Sequence, residues 1–192
     1  QEREPLPHNP QGQIEIICGC MYSGKSEELI RRVRRAQYAR QVVKIFKPAI
    51  DDRDAIHAVV SRAKGEVPCT PVQNATQLLE HCYDGCDVVA IDEAQFFQDG
   101  IVTIVDILAR GGKRVIIAGL DLDSFGKPFG PMADLLIRAD YITKLHAVCV
   151  VCGEDATRSY RKSGTTEQVE VGSGQYEARC RACFHKGMDA GR

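Results

Sequence analysis

Along most of this chain, short apolar runs alternate with stretches in which apolar residues recur every three or four positions. Residues 14–17 (Ile14, Glu15, Ile16, Ile17) form a short β-branched run that predicts a strand. Leu29, Ile30, Val33 and Ala36 then line one face of a helix running from 25 to about 39. Residues 42–46 read as a second strand, parallel to the first and adjacent to it through that helix, a βαβ unit. No clear period runs from 56 to 71. Asn74 suits a helix N-cap, with Leu78 and Leu79 on the buried side of the helix that follows. Residues 87–92 predict a buried strand, 101–108 a helix closed by Gly111 and Gly112, and 114–119 another buried strand. A long loop, 120–130, precedes a short helix at 132–137 and a last strand at 141–145. Such alternation implies an α/β fold with a mostly parallel sheet and helices on both faces.

Two strand ends carry chemistry. Gly19, Cys20, Met21, Tyr22, Ser23, Gly24, Lys25 and Ser26 read G-x-x-x-x-G-K-S, between a predicted strand and a predicted helix. In that context the backbone bends so that successive N–H groups point at phosphate oxygens, and the helix N-terminus adds partial positive charge. Lys25 then reaches the β- and γ-phosphates, and the Ser26 hydroxyl is a Mg²⁺ ligand. The second end is the apolar strand closing on Asp92, followed by Glu93, Ala94 and Gln95. A carboxylate there leaves the sheet beside the phosphate loop and serves as a Walker B Mg²⁺ ligand, and Glu93 stands where a carboxylate can orient a nucleophile. In the polar loop at 51–54, Arg53 can approach the reacting phosphates. Arg31, Arg32, Arg34, Arg35 and Arg40 read as a solvated helix face. Phe125 and Phe129 either cap the core or wall a planar ligand.

Beyond residue 147 the composition changes. Cys149 and Cys152, then Cys180 and Cys183, form two C-x₂-C pairs, enough for a closed four-thiolate zinc site. The intervening segment must be a loop held at its base by the metal. Val169, Val171, Gly172 and Tyr176 lie in its strand-like, Gly-containing part, an extended lid or hairpin. The phosphate loop is expected to belong to a separate core. His146 and His185 are expected to stand outside the metal site. Cys18, Cys20, Cys69, Cys82 and Cys86 read as small core or loop residues. Nine cysteines without a recognisable secretory signal favour reduced thiols and metal, hence the cytoplasm. The formal net charge of −1 offers no general field for nucleic acid.

The ordered set of Gly19 to Ser26, Phe46-Lys47-Pro48, Asp92 to Phe97, Lys127-Pro128-Phe129-Gly130 and the two Cys pairs resembles the type II, or cytosolic-type, thymidine kinases. That resemblance spans roughly residues 12–184. It implies a RecA-like P-loop domain at 12–147 and a small zinc-binding, ribbon-like domain at 148–192 with a lasso loop over the nucleoside, after a disordered tail at 1–11. It implies γ-phosphoryl transfer from ATP to the 5′-hydroxyl of thymidine, giving dTMP in pyrimidine salvage, with Mg²⁺ and a structural Zn²⁺. On matching positions Glu93 is the base, while Met21, Phe96, Leu120, Phe125 and Phe129 line the nucleoside pocket. Val169, Val171, Gly172 and Tyr176 belong to the lasso. Homotetramers and feedback inhibition by dTTP also follow from the resemblance.

Two other readings use the same residues. Asp92-Glu93-Ala94-Gln95 superficially matches nucleic-acid-dependent ATPases, and zinc ribbons bind nucleic acid. Such engines need a second RecA-like domain, for which 192 residues leave no room. A non-catalytic nucleotide-binding regulator is the other, and the intact Lys25, Ser26, Asp92 and Glu93 argue against it.

Overall fold

β1 (Gln13–Gly19) runs into the phosphate loop, α1 (Lys25–Tyr38) leaves it, and β2 (Val43–Pro48) follows. The computed structural model describes residues 12–49, 58–60, 66–82, 85–98, 100–162 and 175–190. The tail at 1–11, Arg53, Val169, Val171 and Gly172 therefore lie outside the described residues. β3 (Ala58–Val60) and β4 (Glu66–Pro68) pair as an antiparallel hairpin, and β5 (Thr70–Val72) joins the main sheet. Next come α2 (Thr76–Cys82), β6 (Val88–Ile91), a 3₁₀ turn (Ala94–Phe96), α3 (Ile101–Arg110), β7 (Arg114–Gly119), α4 (Met132–Arg138) and β8 (Tyr141–Leu145). The chain then makes β9 (Ala147–Val148), β10 (Asp155–Ala156), β11 (Arg158–Arg161), β12 (Tyr176–Arg179) and α5 (Arg181–Ala190).

The main sheet has the order β5-β2-β6-β7-β1-β8, and every pairing in it is parallel. β1 and β2 are therefore parallel but not neighbours, contrary to expectation: β6 and β7 stand between them. Periodicity reports which face of a strand is buried; it does not report which strand lies beside it. The ambiguous stretch near 56–71 resolves, where described, into the β3–β4 hairpin and β5.

Both sheet faces are covered, so alternate residues of each strand enter different cores. Ile14, Ile16, Cys18, Val89, Ile91, Val115 and Ile117 pack with Leu78, Ile101, Val105, Leu108, Met132 and Leu135 from α2, α3 and α4. Ile17, Val88, Ala90, Ile116 and Ala118 pack on the other side against Leu29, Ile30, Val33 and Ala36 of α1, with Val59 and Val67 of the hairpin. Burying a Leu, Ile or Val side chain stabilises by roughly 1.5–3 kcal/mol, so this stripe, rather than intrinsic propensity, holds α1 in place. α2 begins as expected: Asn74 Oδ1 accepts the Gln77 N–H at 3.2 Å, while Gln77 Oε1 accepts the Gln73 N–H at 2.8 Å.

One arginine departs from the solvated face. Arg31, Arg34, Arg35 and Arg40 are exposed, but Arg32 turns inward. It donates to Glu15 Oε2 at 2.8 Å, Glu28 Oε1 at 2.7 Å and Thr143 Oγ1 at 2.8 Å. Glu15, only 5% exposed on β1, also receives Arg114 at 2.5 Å. Helical spacing placed Arg32 beside the buried stripe, and a buried carboxylate on a strand drew it in.

Burial opposes ionisation of Glu15, but hydrogen bonds from Arg114 and Gln13 and the Arg114 and Arg32 charges outweigh it and hold its carboxyl below 4.5. A lowered folded value means stability present above the unfolded value and lost as pH falls through the folded one. Glu15→Gln should destabilise the protein by about 3 kcal/mol at pH 7, as expected for breaking a buried ion pair. The difference from the parent should shrink as pH falls through the lowered value at which the parent's Glu15 also protonates. Urea denaturation of both proteins across pH checks this; a constant difference would refute it.

Candidate active site

The sheet order brings three strand ends together. β1 runs into the phosphate loop, β6 leads into Asp92, and β7, which leads into Leu120, runs between them. In the loop, Ser23 Oγ and Lys25 Nζ each donate to the Cys20 carbonyl at 2.8 Å. Tyr22 holds a left-handed backbone (φ 69°), as does Gly24 just before α1. Burial lowers the pKa of the Lys25 ammonium, opposed by the charges of Glu93, Asp92 and Asp121. The Ser26 hydroxyl lies 3.4 Å from Asp92 Oδ2. Both are hard oxygen donors, near enough to one another that they could hold a Mg²⁺ together. Asp92 is 4% exposed. Burial, then the adjacent Glu93 carboxylate, push it up to about 7, against Lys47 and Lys25. A divalent cation is the partner such a site favours.

Glu93 has φ 53° and ψ 39°, a left-handed conformation uncommon outside glycine and asparagine, and it opens the 3₁₀ turn. Ala94 and Gln95 are fully buried, and the Gln95 amide contacts Glu93 and the Leu120 N–H. Phe96 and Phe129 meet edge to face at 5.5 Å. Phe129 is buried, whereas Phe125 is 41% exposed. Met21 and Leu120 are partly exposed at the same edge. The loop at 120–130 is braced by Asp123, whose Oδ1 accepts N–H groups of Phe125 and Lys127, both at 2.9 Å.

The loop also meets β9–β12, which the sequence did not indicate. Cys20 Sγ donates to the Ala156 carbonyl at 3.2 Å, the Met21 N–H to Ser159 Oγ at 3.0 Å, and Tyr22 Oη to the Tyr176 carbonyl at 3.1 Å. Cys20, Ala147, Cys149, Ala156 and Ala178 form one small core, with Tyr22, Cys180 and Cys183 against it. The phosphate loop does not have a core of its own: it shares this one. Arg161 lies over Phe125 (5.8 Å to the ring centre) and over Tyr176 (5.4 Å), and donates to Tyr176 Oη at 3.1 Å. Ser159 and Arg161 belong to a short polar strand without a motif, so no sequence signal marked them.

The four cysteine sulfurs lie within 4.8 Å of one another. Cys152 Sγ and Cys180 Sγ are 3.7 Å apart, too far for a disulfide. A zinc–sulfur bond of about 2.3 Å in a tetrahedron sets sulfurs about 3.8 Å apart, so the cluster fits zinc. Burial would raise the Cys149 thiol, but N–H groups of Cys180, Cys152 and Val151 bring it down to about 6. Neighbouring Cys180 and burial push Cys183 up to about 12. A bound cation would favour the thiolate form of its ligands. His146 pairs with Asp155 at 3.3 Å, and His185 stacks edge-on to Phe184, so neither enters the cluster. Burial raises the thiols of Cys18, Cys20, Cys69 and Cys82, which leaves them unreactive packing residues.

A parallel α/β sheet with a phosphate loop, a buried aspartate beside it and a four-sulfur cluster defines a P-loop nucleotide-binding protein with a metal-binding appendage. The chain belongs to the thymidine kinase family, whose family model, described as Thymidine kinase, matches residues 12–184. A thymidine kinase of Bacteroides fragilis strain YCH46 is 48% identical over 183 residues, 95% of this chain and 92% of its own length. One from Porphyromonas gingivalis strain W83 is 50% identical, covering 92% and 86%, and one from Rhodothermus sp. strain ITI 518 is 51% identical, covering 90% and 81%. Among solved structures, the flagellar accessory protein FlaH from Methanocaldococcus jannaschii aligns with a TM-score of 0.50 over 76% of each chain. At 14% identity this is a likeness of fold alone.

Gly130 shows how tightly the site is packed. It has φ +51°, and a Cβ there would stand 2.2 Å from the Gln95 carbonyl oxygen. Gly130→Ala should cost at least about 2 kcal/mol, from left-handed strain and the clash together. Chemical denaturation measures it, and a loss under about 0.5 kcal/mol, the size of a neutral surface change, would show that the turn relaxes freely.

Proposed function

We propose that the chain transfers the γ-phosphoryl group of ATP to the 5′-hydroxyl of thymidine, forming dTMP in pyrimidine deoxynucleoside salvage. One observation carries the reading: the phosphate-loop Ser26 lies beside Asp92, in a chain about half identical to proteins named thymidine kinase. In this reading the main chain of residues 19–24, with Lys25, holds the β- and γ-phosphates. Asp92, Glu93, Ala94 and Gln95 complete the ATP- and phosphate-binding set. Ser26 and Asp92 would hold Mg²⁺, which would neutralise charge between the phosphates. Glu93 orients the 5′-hydroxyl and accepts its proton. Met21, Phe96, Leu120, Phe125 and Phe129 enclose the base and sugar. Val169, Val171, Gly172 and Tyr176 belong to a lasso that closes over the nucleoside, and Arg53 adds a phosphate contact. Phosphoryl transfer asks mainly for positioning and charge stabilisation, which is what these groups can supply.

The same reading divides the chain into a kinase domain at 12–147 and a zinc and lasso domain at 148–192, behind a tail at 1–11. It makes the protein cytoplasmic, tetrameric and inhibited by dTTP. Among the described residues no helix is long and apolar enough to cross a membrane. Exposed Ile137, Tyr141 and Ile142, on α4 and edge strand β8, suit a subunit contact.

A coupled assay with ATP, Mg²⁺ and each nucleoside in turn tests the substrate: thymidine should be turned over. Failure with every deoxynucleoside, or ATP hydrolysis stimulated by single-stranded DNA instead, would overturn the reading. Glu93→Gln should leave ATP binding nearly intact and lower turnover 10²–10⁴-fold, the range typical of a general base. Turnover within about threefold of the parent would remove Glu93 from the mechanism.

For the metal, one zinc per chain is expected, lost in Cys180→Ser. Four thiolates leave no open position, so the ion is structural. Because Cys20 and Tyr22 pack against the cluster, zinc loss should weaken ATP and thymidine binding together. Metal analysis beside two titrations checks this; stoichiometric zinc in the variant, or unchanged ATP affinity, would count against it.

A further inference from the structure

We infer that Gln95 is the positioning residue of the transfer: its buried amide sets the Glu93 carboxylate in register with the nucleoside wall. This rests on the proposed role of Glu93. Gln95 is 2% exposed, and both polar ends of its side chain are engaged. Nε2 donates to Glu93 Oε2 at 2.5 Å, and Oε1 accepts the Leu120 N–H at 3.0 Å.

The chemistry of these partners permits one orientation. A backbone N–H can only donate, so the amide oxygen must face Leu120. An ionised carboxylate can only accept, so the amide nitrogen must face Glu93. A flipped amide would set donor against donor and acceptor against acceptor at a buried side chain. The seat is equally restrictive. A Cβ on Gly119 would stand 3.0 Å from Gln95 Oε1 and 2.7 Å from Met132 Sδ, and Met132 is fully buried. Gly130 closes against the Gln95 carbonyl from the other side. The turn itself is pinned by the Phe96 N–H to the Glu93 carbonyl at 3.1 Å.

A glutamate at a surface edge ordinarily samples several rotamers, and ordering such a long side chain costs up to about 2 kcal/mol. Here that ordering is built into the fold. Oε2 is held by the amide, while Oε1 takes no hydrogen bond among the described residues and is left for an incoming hydroxyl. Leu120, in the proposed nucleoside wall, is held by the same amide, so one side chain fixes the distance between base and wall. Misplacement of reacting groups by about 1 Å can cost about 10²-fold in rate.

The test is a double-mutant cycle on the full chain. Gln95→Leu should lower kcat about 10- to 100-fold while the KM for ATP stays within about threefold, the signature of lost positioning in the transition state. Gln95→Glu keeps an acceptor for Leu120 but withdraws the donor from Glu93. It too should lose kcat, with the thymidine KM little changed, and it serves should Gln95→Leu not fold. In a Glu93→Gln background either change should cost less than about threefold, because Gln95 acts through Glu93. The same factor in both backgrounds, or kcat within about threefold of the parent for a folded variant, would overturn the inference. A parent inert toward thymidine would defeat the functional reading instead. A parent indifferent to Glu93→Gln would defeat both the base and this inference.

Discussion

Ionisable groups held out of water at the carboxyl edge of a parallel sheet set the terms for the rest of this molecule. Asp92 and Asp121 are buried at neighbouring strand ends, Lys25 stands close to both, and each charge needs a partner where water is scarce. Lys144 of β8 reaches Asp121 Oδ2 at 2.8 Å, which ties the edge strand into the site. The charge of Lys47, at the end of β2, favours the ionised form of Asp92 from the opposite flank. The strand order is thus also an order of charge: cation-bearing ends flank acid-bearing ones. The same arrangement that pays for burial in the free protein is preorganised for a polyphosphate.

Much of the site was legible because its motifs are local. A strand, a Gly-rich turn and a helix in succession define the phosphate loop, and an apolar run ending in Asp92 needs no distant information. The two Cys pairs likewise announced their cluster. What stayed illegible is long-range. Nothing in residues 43–48 says that two strands separate them from β1, since a buried strand reads the same beside any neighbour. Arg32 looked like its exposed neighbours because its partners, Glu15 and Thr143, come from other elements. Ser159 and Arg161 carry no pattern at all, and their importance comes only from what β11 lies against.

That last point changes the picture of the second part of the chain. The β9–β12 module is less an appendage than a back wall for the phosphate loop. It contributes a carbonyl to Cys20, a hydroxyl to the Met21 N–H and a carbonyl to Tyr22, so the loop's shape is partly specified from outside its own strand and helix. Arg161 extends the contact to Phe125 and Tyr176. Loops from two regions of sequence are therefore mechanically joined through one polar strand.

The position of β1 also bears on how the protein is made. Among the described strands it comes first along the chain, yet its partners are β7 and β8, Gln13 pairing with Arg114 and Gly19 with Leu145. During synthesis β1 must wait, with two unsatisfied edges, until most of the described chain has emerged. Pairings of such sequence separation form slowly and leave aggregation-prone edges exposed in the interval. Glu15 lies in that strand: before Arg32 and Arg114 close on it, its charge opposes premature stacking of like strands, and afterwards it is an internal anchor. A nascent chain of this kind gains both flanks of its phosphate loop only once β7 and β8 have emerged.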